Sequence, residues 1–269
     1  MIWLLLDAGN TALKWALAGA DEPRPLARGI ATLEPGFADA LTATLERSLS
    51  TLPPAPISEV RAIGCSVASD AVTGAIAQAV APLATREIAW YRAEPRFEYH
   101  GIELVNGYRD PYQLGADRWH AMIAARVSYP GHPLVVVCAG TATTVDSIDA
   151  AGRFLGGTIA PGTSLMADSL ARGTARLPRS TGRPVVMPDN TDDAIATGVA
   201  DALAGLVERR VRALGRAGTM PRLVLAGGRV GELASRLWLP DEVAGIIIEE
   251  HLVLRGLWLR AAAGQSESK

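Results

Sequence analysis

The chain has 269 residues, with 26 Lys+Arg against 28 Asp+Glu, a formal charge of −2 and a sequence pI of about 6.1. That balance excludes a global electrostatic case for nucleic acid or anionic membranes, and 5% aromatic residues leave few stacking platforms for single strands. A hydrophobic share of 49% with 20% charged excludes a disordered chain, and the length suits two domains or one large one.

In chain order, the apolar N-terminus lacks a basic flank and meets Asp7 early, so it reads as a first strand and not as a signal peptide. A Gly turn at Asp7 to Thr11 and an apolar run from Ala12 to Ala18 make it a β-hairpin. Leu41, Leu45 and Leu49 at helical spacing predict a helix over 37–49, broken by the prolines between Leu52 and Pro56. Val60 to Ser66 reads as a buried strand, Ala71 to Val80 as a helix stopped by Pro82, and Ile88 to Tyr91 as a short strand. Pro95 to Pro111 is irregular and reads as an interdomain loop, a place where function often sits. A helix over Ala116 to Val127 follows, then strands over Leu134 to Cys138, Thr143 to Asp149 and Phe154 to Ala160. Pro161-Gly162 opens a helix to about Arg172, and Asn190 to Asp193 caps a long helix over Thr191 to Leu214. Strands at Leu223 to Ala226 and Val243 to Ile248 and a helix from His251 to Ala263 complete the chain, with a frayed end from Gln265. Alternating strands and helices indicate an α/β architecture.

Cys65 and Cys138 are far apart with no CxxC, and the four histidines show no metal-ligand spacing. No stretch reaches the ~18 apolar residues that span a bilayer, so a cytoplasmic protein without membrane or nucleic-acid partners is expected. Only Lys14 and Lys269 are lysines; the other 24 basic residues are arginines.

The opening pattern recurs. Leu4 to Thr11 is matched by Val135 to Ala142, an offset of 131 residues, close to half the chain. In each copy an apolar strand runs into a small-Gly-polar turn, which predicts two related domains. The first turn, Asp7-Ala8-Gly9-Asn10-Thr11, offers amides and side chains for phosphate oxygens. Asp7 would hold Mg²⁺ directly or through water, with Lys14 as a compact positive charge nearby. The same residues also suit an ordinary hairpin in which Asp7 and Asn10 only cap the turn. The second turn is Gly140-Thr141-Ala142-Thr143-Thr144, and the pair would hold one polyphosphate. Gly115-Ala116-Asp117-Arg118 at a helix start, after the aromatic loop Tyr108 to Tyr112, is a third element. Asp117 would accept a hydroxyl proton and Arg118 an anionic group. A solvated acid–base pair at a helix N-terminus is the plainer alternative. The Gly-rich turn Gly156 to Gly162 and the segment Thr174 to Pro178 suggest close backbone approach to a ligand or partner. There is no Walker A motif, and Gly227-Gly228-Arg229-Val230-Gly231 has the wrong spacing for a dinucleotide fingerprint.

Taken in order, Asp7-x-Gly9-Asn10-Thr11-x-x-Lys14, Tyr108-x-x-Pro111-x-x-x-Gly115-x-Asp117-Arg118, Gly140-Thr141-Ala142-x-Thr144, Gly156-Gly157-x-Ile159-x-Pro161-Gly162, Thr174-Ala175-x-Leu177-Pro178 and Asn190-Thr191 span most of the chain. This ordered set resembles the type III pantothenate kinases, a family that includes Bvg accessory factor-like proteins. The resemblance implies an α/β fold of two RNase H-like domains of the acetate and sugar kinase/Hsp70/actin superfamily around a central cleft. The expected division is 1–114, with the first phosphate turn, and 115–269, with the second turn and the dimer contacts. It implies ATP-dependent phosphorylation of pantothenate to 4′-phosphopantothenate, the first step of coenzyme A synthesis. It also implies a homodimer whose pantothenate site is completed across the interface. Asp7, Ala8, Gly9, Asn10, Thr11 and Lys14 would then bind the ATP phosphates, joined by Gly140 and Thr141. Tyr108, Gly115, Ala116, Asp117, Arg118 and Thr191 would bind pantothenate, with Asp117 as general base and Asp7 near Mg²⁺. Many members carry an Asp where this chain has Cys138, helping to bind K⁺ or NH₄⁺; a thiol is no hard oxygen ligand, so that site is expected to be lost, weaker or built differently. Gly227-Gly228 is the candidate for adenine by analogy with the fold. A non-catalytic binder of nucleotide or pantothenate on the same fold, or another phosphotransferase or phosphohydrolase of the superfamily, would share the turns. The second would not need the Tyr108 to Arg118 element.

Overall fold

The computed structural model describes residues 1–52, 59–216, 218–241, 243 and 245–266; the prolines expected to break the chain before Pro56 lie outside the described residues. Two compact units divide them: residues 1–128 with the segment from Leu252 onward, and Tyr129–His251.

The first unit runs β1 (Ile2–Ala8), β2 (Ala12–Gly19), β3 (Pro25–Thr32), α1 (Phe37–Ser50), β4 (Val60–Ser66), α2 (Asp70–Val80), β5 (Ala89–Trp90), β6 (Arg96–Tyr99), β7 (Ile102–Val105), a 3-10 turn at Pro111–Gln113 and α3 (Ala116–Ser128). The second contains β8 (Leu134–Ala139), β9 (Ala142–Ile148), β10 (Phe154–Pro161), α4 (Thr163–Gly173), α5 (Thr191–Gly215), β11 (Arg222–Ala226), α6 (Val230–Ala234) and β12 (Ile246–Ile248). The last helix, α7 (Leu252–Ser266), belongs to the first unit.

Each unit holds one five-stranded sheet, and the two have the same order: β3-β2-β1-β4-β5 and β10-β9-β8-β11-β12. In both, a three-strand antiparallel meander is joined by two parallel strands. The internal repeat is thus a repeat of topology. The copies differ by one residue in the turn: Ala8 and Leu13 close the first hairpin, Ala139 and Thr143 the second.

The core explains these elements. Leu4, Leu6 and Ala8 alternate onto one face of β1, with Leu13, Trp15 and Leu17 beside them on β2. They pack against Leu41 and Leu45 of α1 and Ile76, Ala79 and Val80 of α2. In the second unit Val135, Val137 and Val145 pack on Leu203, Val207 and Val211 of α5. Besides a hairpin in the middle of the chain, two elements escaped the sequence reading. β3 alternates half-buried with exposed residues, as an edge strand does, but Pro25, Arg28 and Gly29 dilute its pattern. Gly29 is needed there, because a Cβ would stand 2.7 Å from the Trp15 ring. α6 is only five residues long, too short to show a helical period.

Two expectations about the middle of the chain change. Residues 95–111 lie within the first unit and do not link the units. Most of the segment is the β6–β7 hairpin, in which Phe97 pairs with Leu104 and both are buried. The compact units also part after Ser128, beyond the division expected at 114. The reason is α3, which is buried on nearly every side from Ala116 to Arg126. A helix of that kind needs cover all round, and α7 with β4 and β7 supplies it. Gly256 of α7 lies against the His120 carbonyl where no side chain would fit, and the Trp258 indole N–H donates to the Gly19 carbonyl at 2.8 Å.

Candidate active site

The strand period that sends Leu4 and Leu6 into one core sends Asp7 to the other face of the sheet. Asp7 is the cross-strand partner of Lys14 on β2 and of Cys65 on β4, so the three side chains form a row across three strands. Lys14 Nζ stands 3.8 Å from Asp7 Oδ2, and the Cys65 thiol donates to Asp7 Oδ1 at 4.0 Å. Asp7 is 8% exposed. Burial lifts its carboxyl pKa to about 6; the Lys14 charge opposes the rise and Asp117 adds to it. Burial also pushes the Cys65 thiol well up, with the charges of Asp7 and Asp117 acting the same way. Beyond Asp7, the turn closes through a Gly9 N–H to Ala12 carbonyl bond of 3.1 Å, and Leu33 N–H donates to the Thr11 carbonyl at 3.2 Å. Asn10 and Thr11 are exposed at its tip.

Asp117 sits in the first turn of α3, where Oδ1 accepts the Arg118 N–H at 2.8 Å. Gly115 makes this possible, since a Cβ there would stand 2.7 Å from that oxygen. Arg118 is 4% exposed, with its guanidinium 5.7 Å from the Tyr108 ring centroid and Nη1 donating to the Tyr108 hydroxyl at 3.1 Å. Ala116 is buried, and its carbonyl lies 2.7 Å from His120 Nδ1. Within one unit, then, Asp7, Lys14 and Asp117 share an electrostatic neighbourhood, and Tyr108 and Arg118 share a hydrogen bond.

In the second unit, glycines draw three strand ends together. Gly162 N–H donates to the Thr141 carbonyl at 2.9 Å, and a Cβ at Gly162 would meet the Gly140 and Thr141 carbonyls. Gly227, at φ +107°, abuts Ala139 in the same way. The exposed Gly140-Thr141 turn is therefore backed by the start of α4 and the end of β11. Cys138, half-buried, occupies the repeat position of Asp7. Thr191 is the first residue of α5 and exposed, beside the Asn190 cap that accepts Asp193 N–H at 2.9 Å. Asp192 and Asp193 accept the Thr181 and Arg183 amides, which ties the preceding segment to this helix end.

Three side chains at or behind this site escaped the sequence reading. Cys65 looked like a small strand residue, although a parallel neighbour of β1 places its last residues beside Asp7. His120 is fully buried, and burial drives its pKa down to about 4. Asn106 lies in the stretch from Pro95 to Pro111 that reads as irregular, where no local pattern singles it out.

A duplicated β3-β2-β1-β4-β5 unit with a Gly turn after each first strand has structural counterparts. Over 99% of this chain and 100% of the other, the fold matches a Baf family protein of Campylobacter jejuni at a TM-score of 0.55 and 17% identity. A 2-dehydro-3-deoxygalactonokinase-type protein of Sinorhizobium meliloti matches at 0.53 and 15% over 98% and 99%. The fold is that of the acetate and sugar kinase/Hsp70/actin superfamily. Residues 3–213 match the family model described as type III pantothenate kinase. A type III pantothenate kinase of Paracidovorax citrulli is 39% identical over 272 residues, covering 97% of this chain and 98% of its own. The chain belongs to the type III pantothenate kinase family.

Proposed function

We infer that the chain uses ATP to phosphorylate pantothenate to 4′-phosphopantothenate, the reaction of its family and the first step of coenzyme A synthesis. The observation that carries the residue assignment is the convergence of Asp7, Lys14 and Asp117 beside the Tyr108–Arg118 pair. The acceptor hydroxyl oxygen bonds to the γ-phosphorus as the bond to the ADP oxygen breaks, and Asp117 takes the hydroxyl proton. Tyr108 and Arg118 hold the acceptor, Arg118 as the partner of its carboxylate, while Gly115 and Ala116 shape the approach to Asp117. Ala8, Gly9, Asn10 and Thr11 offer turn amides and polar side chains to the ATP phosphates, with Lys14 neutralising charge, and Gly140 and Thr141 do the same in the second unit.

The residues fit a magnesium ion. Asp7 is a hard oxygen donor at the end of β1, and the burial that chiefly raises its pKa is a cost to the carboxylate that a bound divalent cation would offset. Among the described residues no group of three or more His, Cys, Asp or Glu is arranged for a metal, so phosphates and water would complete the shell. When bound, Mg²⁺ lowers the charge repulsion on the transferring phosphoryl. Cys138 offers a thiol and not a hard oxygen. Turnover is therefore expected to change less than about twofold when potassium and ammonium are replaced by a bulky organic cation at fixed ionic strength; large saturable activation would refute this.

Asp117→Asn is the direct test. Pantothenate-dependent ADP release should fall by at least ~10²-fold, the usual scale of a lost general base, with thermal unfolding unchanged. Near-normal release would remove Asp117 from that role.

A further inference from the structure

We infer that Asn106 is a positioning residue for the acceptor site, holding the Tyr108 hydroxyl at the Arg118 guanidinium; this rests on the phosphotransfer reading above. Asn106 follows β7 and is 7% exposed. Its side-chain amide makes three hydrogen bonds. Nδ2 donates to the Glu94 carbonyl at 3.2 Å and to the Pro111 carbonyl at 3.0 Å, and Oδ1 accepts the Tyr108 N–H at 3.1 Å. The reverse amide orientation would set an NH₂ against the Tyr108 N–H, so the network fixes which atom is which.

The loop from Asn106 to Leu114 has no strand ladder to hold its backbone and is exposed over much of its length, so its shape depends on the buried Asn106 side chain at its start. Two donors and one acceptor on a short stem are what an asparagine supplies. Aspartate lacks the donors, and serine lacks the second one. The anchor points are themselves held. Asn106 N–H donates to the Pro95 carbonyl at 2.9 Å, and the Glu94 side chain accepts from Arg260 Nε of α7 at 2.6 Å. On the far side, Asp110 Oδ1 accepts the Tyr112 N–H at 3.0 Å. Tyr108 therefore leaves a backbone pinned before and after it, and its hydroxyl meets Arg118 Nη1 at 3.1 Å. Asn106 acts on the acceptor only through Tyr108, so its loss should register in acceptor affinity and not in ATP affinity.

Steady-state titrations of both substrates on Asn106→Ala test this, with thermal unfolding as the fold control. KM for pantothenate should rise about tenfold, the scale of one or two lost hydrogen bonds, while KM for ATP stays within about twofold. Because Asn106 and Tyr108 act as one unit, Asn106→Ala combined with Tyr108→Phe should cost little more than the worse single change. Equal rises in both KM values, or simple additivity, would overturn the proposal. If Asn106→Ala fails to fold, amide hydrogen exchange in the wild type carries the test: the Tyr108 N–H should exchange slowly, and free exchange refutes the clamp. A wild type without pantothenate-dependent ADP release would instead overturn the phosphotransfer reading, and the Tyr108 exchange would still decide whether Asn106 holds the loop.

Discussion

Lys14 is the one internal lysine among 24 arginines, and it stands on the strand returning from the first phosphate turn, 3.8 Å from Asp7. Elsewhere on the chain every Lys or Arg position but the last, Lys269, is an arginine. Beside a buried carboxylate and a crowded polyphosphate, a compact ammonium can approach where a planar fork needs more room. Lys14→Arg keeps the charge, yet kcat/KM for ATP should fall about tenfold, or ~1.4 kcal/mol of transition-state stabilisation. Unchanged ATP kinetics would reduce the lysine to a bias of composition. Lys14 and Asp7 were legible in the sequence because a Gly-polar turn with a basic residue three positions on is a local pattern. Cys65 was not legible, because it reaches Asp7 only through the pairing of β4 with β1.

At the scale of the element, α3 carries Asp117 and Arg118 in its first turn and His120 one step further on. The His120 ring bonds the Ala116 carbonyl, lies 6.3 Å from the Tyr91 ring and is faced by the Arg260 charge from α7, itself paired with Glu94. Burial, with a smaller push from Arg260 against the Ala116 bond, lowers its pKa from 6.5 to about 4. Between those values the unfolded chain binds a proton that the folded chain refuses. Stability is therefore complete above pH 6.5 and declines as pH falls towards 4, by about 2 kcal/mol at pH 5 from this one group. Thermal unfolding of wild type and His120→Gln at pH 7 and pH 5 reads it: the variant should lose less than the wild type over that range. Equal losses would mean that acid sensitivity arises elsewhere. Helix α3 itself was expected over Ala116 to Val127, but the partner that buries its remaining side was not. That partner, α7, comes from the other end of the chain.

At the scale of the whole molecule, the second unit leaves Val186 82% and Met187 86% exposed just before α5, close in sequence to Thr191. Two adjacent, almost fully exposed apolar side chains are a place where a partner surface would remove apolar area from water. We propose that the chain is a homodimer through this segment, with Thr191 contributing to acceptor binding. Sedimentation velocity should give a particle of twice the 28.2 kDa chain mass, and Met187→Glu should shift it towards monomer. A monomeric wild type would sink the proposal; a dimer indifferent to Met187→Glu would move the interface elsewhere. Among the described residues no helix is long and apolar enough to cross a membrane.

The sequence by itself determined what local spacing can encode: the strand-turn-strand repeat, the glycine turns, the capped start of α5 and the places of Asp7, Lys14, Asp117 and Arg118 on those elements. Periodicity and turn chemistry act over a few residues, and each of these features is complete within such a window. Only the tertiary structure decided the rest. The 5-strand order of each sheet, the extra residue in the first hairpin turn, the Asp7–Cys65 contact and the Asn106 clamp join residues distant along the chain or on irregular backbone. The return of α7 to the first unit is the clearest case. Its sequence shows that it is a helix, but the face it covers is set by a neighbour more than a hundred residues away, and burial of α3 is what selects it.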